Sequence, residues 1–388
     1  MEDTPRLYKT LVSVLHQHRQ WLDVRHLQTL AWMLVGLLQS GMISLNQWAP
    51  FVLGRAEFAQ STVRRFSRWL DNERIVVHRL YGPLIQAAVA EWGQQVLYLA
   101  LDTSMIWNTY CLIRISLVYR GRAIPLVWQV VAQGSSSVAH SVYCDLLTQA
   151  ATLLPLQCRV VFLADRGFAD TQLMAQLKDL QWHWRIRIKN SFYVYRPGRR
   201  PLLLKHLGLA RGYAFYWQHV YVTQRRYGPV YLAVARRADT GEYWRVLSDE
   251  PTSQHTWTEY GRRFDIEENF LDDKSNGFQL ESSLIRSAEA LTRLCLVLAL
   301  ATLYLVAQGV AVVQQDKRRW VDPHWFRGSS YLKIGWQWLR AALAKGYALI
   351  TQIRLPGGPD PEPAKASNQQ AAKKANPCFI SKSTNFAP

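Results

Sequence analysis

The sequence is short of several things, and each shortage removes a class. Cysteine is sparse: Cys111, Cys144, Cys158, Cys295 and Cys378 are scattered without a C-x-x-C pair. That pattern excludes a disulfide framework and a structural zinc site, and it predicts reduced, mostly buried thiols in a cytoplasmic protein. Acids are outnumbered, 28 Asp and Glu facing 46 Lys and Arg for a net charge of +18. A balance this basic predicts a polyanionic partner, nucleic acid or an anionic membrane surface. It sets the partner class only, since any basic packaging or ribosomal protein shares it. No internal repeat is visible. The start, MEDTPRLYKT, lacks the apolar core of a secretory signal, so none is expected. The most apolar run, Leu294–Ala307, is broken only by Thr302 and falls short of the roughly 20 residues of a membrane span. A buried core helix continuing to Val313 is expected there, and no membrane.

What is present is length and aromatic mass. At 388 residues the chain can hold two or three modules around a sizeable core. The 16 Trp and 18 Tyr, interleaved with cations, suit base stacking and duplex distortion, although most are expected in the core.

From Pro5 to about Glu91 the pattern is helical. Leu7, Leu11, Val14 and Leu15 recur at one-face spacing, and Leu27, Leu30, Ala31, Leu34, Leu37 and Leu38 continue it in a second helix. Ser61–Leu70 opens on capping hydroxyls and sets Val63, Phe66 and Leu70 against Arg64, Arg65 and Arg68. A short basic helix after a turn suits the recognition helix of a helix-turn-helix; an amphipathic surface helix with solvated arginines is the plain alternative. Residues 1–92 are expected to form a helical DNA-binding module.

At Gln94 the period changes. Val96–Leu101 reads as a strand with Asp102 immediately after it, and Cys111–Tyr119 and Ala123–Val131 give two more. Ser137–Leu154 reads as a helix, Arg159–Ala164 as a buried strand ending at Asp165, Thr171–Leu180 as a helix and Trp182–Ile188 as a strand. This is the element order of an RNase H-like core, its first part spanning 93–189, and such a core sets its acids at strand ends. Residues 190–251 carry aromatic and β-branched runs at Tyr193–Tyr195, Tyr213–Thr223, Val230–Arg236 and Tyr243–Leu247, and read as a mostly β insertion. The core is expected to resume over 252–350, with a last helix at Tyr331–Ile350. Residues 351–388 are expected to be a disordered basic tail. The fold class is α/β.

The stretch YGRRFDIEENFLDDK, Tyr260–Lys274, is the most informative. On one continuous helix, Tyr260, Arg263 and Lys274 fall within about 40° of Glu267. One face then presents a phenol, a guanidinium, a carboxylate and an ammonium, an arrangement suited to holding a metal ion beside phosphates. A solvated helix with an i,i+4 Arg–Glu pair is the bland counterpart. The spacing Y-x2-R-x3-E-x6-K resembles the signature of the DDE transposases of bacterial insertion sequences, specifically the insertion-sequence-four group. The run Asp165–Arg166–Gly167 is similar to that family's DRG-type run, and the long interval between Asp165 and Glu267 suits its β insertion.

The resemblance implies that Asp102, Asp165 and Glu267 are catalytic and hold two Mg²⁺ ions, with Mn²⁺ as a substitute. Carboxylates suit this hard ion, and paired ions can activate an attacking water or 3′-hydroxyl and stabilise the leaving oxygen. It further implies that Tyr260, Arg263 and Lys274 hold phosphates and that Arg187 and Lys189 meet the transposon-end backbone. Trp244, in the run Tyr243–Pro251, would stack on a flipped base. The implied activity is cut-and-paste transposition: nicking, hairpin formation, hairpin opening and strand transfer. The implied partners are double-stranded DNA, as terminal inverted repeats and target, and a second copy in a dimeric synaptic complex at the bacterial nucleoid. A DDE-type nuclease without strand transfer and a catalytically retired, end-binding regulator are the alternatives.

Overall fold

The computed structural model describes residues 3–17, 21, 23–54, 57–274, 277–365 and 380–381. Five helices come first: α1 (Asp3–His16), α2 (Val24–Ser40), α3 (Leu45–Trp48), α4 (Ala59–Asp71) and α5 (Val77–Ala88). The apolar spacing of the sequence is the face they bury, with Leu7, Leu11, Val14, Leu27, Leu30 and Leu34 all in the core. Asp23 caps α2 by accepting from the Arg25 N–H, and Gly41, in the left-handed region at φ 75°, ends it. Helix α4 begins earlier than its hydroxyls suggest. Phe58 is its N-cap without a side-chain bond, so Ser61 and Thr62 lie inside the helix rather than capping it. Burial of Phe66, Trp69 and Leu70 fixes the helix instead.

Next come β1 (Val96–Ile106), β2 (Tyr110–Tyr119), β3 (Arg122–Ala132), α6 (His140–Leu153), β4 (Arg159–Ala164), α7 (Thr171–Asp179) and β5 (His183–Arg187). The element order is the expected one, with a difference of consequence in β1. The strand does not stop before Asp102 but continues to Ile106, paired antiparallel with β2. Its parallel ladder with β4, however, ends at Leu101–Ala164. Asp102 therefore sits inside one strand pair and at the end of another.

The following strands are β6 (Tyr193–Tyr195), β7 (Leu202–Leu203), β8 (Tyr213–Val222), β9 (Tyr227–Arg236) and β10 (Tyr243–Ser248). They do not stand apart as an insertion with its own sheet. The strand order is β3-β2-β1-β4-β5-β10-β9-β8-β6-β7, with β11 (Ile380–Ser381) parallel to β8. Strand β10 lies antiparallel on β5 and covers what would otherwise be an open edge of unpaired amides. The chain is thus a mixed α/β protein built on one large mixed sheet.

Helices α8 (Gln254–Gly261), α9 (Phe264–Asp273), α10 (Ala288–Gln314) and α11 (Tyr331–Lys345) complete the fold. By length and composition α10 could cross a membrane, yet nearly all of it is buried, against β3, α2, α4, α5 and α11. Its backbone touches that of α11 where Gly309 meets the Tyr331 carbonyl and Gly335 meets the Leu305 carbonyl, positions with no room for a Cβ. Residues 351–365 are not the disordered tail expected from composition. Leu355 is buried and its carbonyl accepts from Trp92 Nε1 at 2.6 Å, while Asp360 and Glu362 pair with Arg327 and Arg318. Buried cations need those acids, and that need outweighs the polar composition. Residues 366–379 and 382–388 of the expected tail lie outside the described residues.

Candidate active site

The parallel β1–β4 ladder ends at Leu101 opposite Ala164, so the next residue on each strand is an aspartate. Asp102 and Asp165 therefore start one strand spacing apart, about 4.8 Å at the backbone. Asp102 Oδ1 accepts from the Thr103 amide at 2.8 Å. Asp165 Oδ1 accepts from the Gly167 amide at 2.7 Å and caps the single helical turn Arg166–Phe168. A Cβ on Gly167 would lie 2.9 Å from that same oxygen, so the glycine gives the carboxylate its room.

Glu267 arrives from the other side of the sheet sequence, on α9. The stretch expected as one helix is two: α8 ends at Gly261 and α9 begins at Phe264, with Arg262 and Arg263 as a turn in helical dihedrals. Because both linking residues keep those dihedrals, Tyr260, Arg263 and Glu267 stay near one another across the break. Arg263 Nη1 donates to Asp102 Oδ2 at 3.0 Å and Nη2 donates to Glu267 Oε1, so one guanidinium bridges the two acids. Lys274 closes α9; its ammonium donates to the Met105 carbonyl and lies 3.8 Å from Glu281.

The electrostatics follow from crowding. Burial pushes Asp102 up to about 6; Arg263 pulls it back, and Asp165 and Glu267 push it further up. Burial lowers the Arg263 pKa, but Tyr260, Asp102 and Glu267 together hold it above its usual value. Three hard carboxylates balanced by one guanidinium form a donor set that fits a divalent cation. As placed, their ligand atoms are not all within 4.8 Å of one another.

A family model for the transposase DDE domain matches residues 108–304, just over half of the chain. The chain belongs to the transposase DDE-domain family. The match encloses Asp165 and Glu267 and begins just after Asp102. A comparison with curated proteins finds no match. Among solved structures, the cryo-EM structure of a piggyBac transposase synaptic complex with hairpin DNA is similar at a TM-score of 0.44 and 10% identity. The alignment covers 95% of this chain and 86% of that one.

The other residues singled out in this DDE-domain chain are placed unevenly. Tyr260 is fully buried and burial raises its pKa, so its hydroxyl does not face solvent phosphates. Trp244, expected to meet a base, is 4% exposed among Ala233, Ala235, Trp257 and Tyr260. Its indole donates to Glu242 Oε2 at 3.2 Å, and Arg187 and Arg237 each lie 5.8 Å from its ring. Strand alternation puts Trp244 on the face covered by α8, which explains the burial. Arg187 donates to Glu242 and to the Tyr243 carbonyl, whereas Lys189 is exposed. On α4, Arg64 and Arg68 are exposed, but Arg65 is half-buried, 5.6 Å from the Phe66 ring, with burial lowering its pKa and Tyr8 opposing that.

Two features escaped sequence reasoning. Arg114, in the middle of β2, is wholly buried and donates to Asn269 Oδ1 at 2.8 Å and to Asp273 on α9. A lone arginine in the run YCLIRISLVY was the available signal, since a buried cation demands a partner. The second is a cluster at the opposite end of the parallel strands, where His183, Asp249 and Glu250 bring ligand atoms within 4.8 Å of one another. Arg159 and Arg185 already pair with Glu250, and Arg185 lies 3.6 Å from Asp249. Those cations fill the role an ion would take.

Proposed function

We propose that this chain is a divalent-metal-dependent transposase of the insertion-sequence-four type. It would cut DNA at transposon ends and join the ends to target DNA. The observation that carries the reading is the meeting of Asp102 and Asp165 at neighbouring strand ends, with Glu267 tied to Asp102 through Arg263. In this reading the three acids hold Mg²⁺ or Mn²⁺, which supplies an acidified nucleophile and a stabilised leaving oxygen. The Arg263 guanidinium, already held beside Asp102 and Glu267, would offer its planar fork to a phosphate at this site. Lys274, anchored on the Met105 carbonyl three residues past Asp102, keeps positive charge beside the same site.

Residues 1–92 are the helical DNA-binding module, 93–189 and 252–350 the two parts of an RNase H-like core, and 190–251 the β segment between them. DNA as partner is supported by charge placement. From Leu180 to Ala238 the chain has 12 Lys and Arg and no Asp or Glu. Two copies would pair two ends in one complex.

The test is incubation of the full chain with Mg²⁺ and a duplex carrying the inverted repeats that flank its own coding region. Joined products support the proposal. Cleavage without joining assigns a nuclease, and binding without cleavage assigns a retired regulator. Asp102→Ala should abolish cleavage and leave binding.

A further inference from the structure

The segment after α10 turns large aromatic rings outward. Trp320 is 57% exposed, Trp325 82% and Phe326 45%. Each carries a cation against its face: Lys317 lies 5.8 Å from the Trp320 ring, Arg319 4.4 Å from Trp325, and Lys365 5.5 Å from Phe326. Trp320 also stacks on the buried Trp338 at 6.0 Å, which joins the patch to the core.

The backbone under these rings is held firmly. Arg318 is buried and donates to the His324 carbonyl at 2.9 Å and the Trp325 carbonyl at 3.1 Å, while pairing with Asp322 and Glu362. Arg327, also buried, donates to the Ser329 carbonyl at 3.1 Å and pairs with Asp360 at 2.6 Å. Buried ion pairs are costly to assemble. Here they present apolar rings to water instead of sheltering them, and rings fixed in advance lose little freedom on binding.

Location separates this patch from the acids. Helix α10 is 27 residues long, about 40 Å. Just before its start, Arg286 lies 3.8 Å from the Trp107 ring, on the turn beyond Asp102's strand. The patch follows its other end. There Arg120, on the turn between β2 and β3, lies 5.8 Å from the Tyr331 ring.

The geometry points to a second DNA contact at this loop, one that takes a strand with unstacked bases. Trp325 and Phe326 supply stacking faces, and Lys317, Arg319 and Lys365 supply charge for the backbone. A paired duplex keeps its base faces covered, so exposed rings gain most from bases already out of the stack. Three cations line the rings; Asp316 is exposed beside them, while Asp322, Asp360 and Glu362 are paired with Arg318 and Arg327. That charge favours a polyanion over a second copy of this basic chain. The inference rests on the reading of the chain as a DNA-acting enzyme.

The experiment compares full-chain wild type with Trp325→Ala/Phe326→Ala and with Lys317→Gln/Arg319→Gln. Binding is measured to a single-stranded oligonucleotide and to a blunt duplex of the same sequence, with sedimentation of each protein alone. The aromatic variant should bind the single strand at least about thirtyfold more weakly and the duplex nearly as well as wild type. The charge variant should flatten the salt dependence on the single strand by about 0.7 per lost contact. Unchanged single-strand affinity in the aromatic variant overturns the inference. A shifted oligomeric state with DNA affinity intact also overturns it and assigns the patch to contact between copies. If wild type binds neither DNA, the proposed function falls too; if wild type binds and the variants match it, only this inference falls.

Discussion

Arg114 and Asp273 form an ion pair with both side chains out of solvent, 0% and 1% exposed. Arg114 stands opposite Asp102 in the β1–β2 register, so both side chains leave the same sheet face. Asp273 is on α9, the helix that brings Glu267. The pair therefore fixes that helix to the strand beside the first acid. Losing one partner strands a buried charge. Arg114→Met should cost about 3–5 kcal/mol in chemical denaturation, and adding Asp273→Leu should restore most of it. A small loss in the single variant would mean that water reaches the site.

A neighbouring acid predicts a pH dependence. Burial raises Asp272 to about 6 from 3.8; Arg122 lowers it, and Asp273 and Glu268 raise it further. The folded state then keeps a proton that the unfolded chain releases between about pH 4 and 6. Stability should fall as pH rises through that window and level off above it, a change on the order of 3 kcal/mol. Asp272→Asn should remove much of this slope, leaving the part due to Asp273 and Asp102, whose pKa values are also raised. Urea midpoints of the two proteins across pH 4 to 7 measure the difference.

The strands that lead to Asp102 and Asp165 were legible because they are buried and apolar up to those residues. The run Arg159–Ala164 is a strand at both predicted ends because every residue after Arg159 is core. Asp102 was expected just past the end of its strand, but antiparallel pairing carries β1 beyond it through mixed residues that do not look like a strand. The Tyr260–Lys274 wheel assumed one helix and passed over Gly261, the poor helix former at which α8 ends. Just past that point Arg263 donates to Asp102. The buried networks of Arg114, Arg318 and Arg327 join residues far apart in sequence, so periodicity gives no warning of them.

The three arginines of α4 should separate by experiment. Arg64 and Arg68 are exposed, and each lost phosphate contact should reduce the log K against log salt slope by about 0.9. Arg65 is half-buried beside Phe66, with its Nε and Nη2 lacking hydrogen-bond partners among the described residues. Arg65→Met should therefore leave the slope in place and raise the melting temperature or leave it unchanged. Equal effects of all three on the slope would mean that α4 turns its whole basic side to DNA.

Trp244 is the sharpest divergence between resemblance and structure. The resemblance implies a ring that receives a flipped base, which requires an accessible face. In the fold, Tyr260 meets the ring edge-to-face at 5.7 Å, Phe264 lies at 5.8 Å and Trp257 at 6.4 Å. Tyr260 and Phe264 flank Arg263, so the ring supports the residue that bridges Asp102 and Glu267. Trp244→Ala should cost about 3–5 kcal/mol, as for other large-to-small core changes, and should weaken every catalytic step together. Trp244→Phe keeps most of the volume and loses the bond to Glu242 with part of the ring packing, so its effect on melting should be smaller. Thermal melts of both variants, read beside nicking and later-step assays on end DNA, decide between the roles. A Trp244→Ala protein that melts like wild type, nicks normally and stalls only afterwards would show that the ring opens to DNA. The packing account of Trp244 would then be wrong.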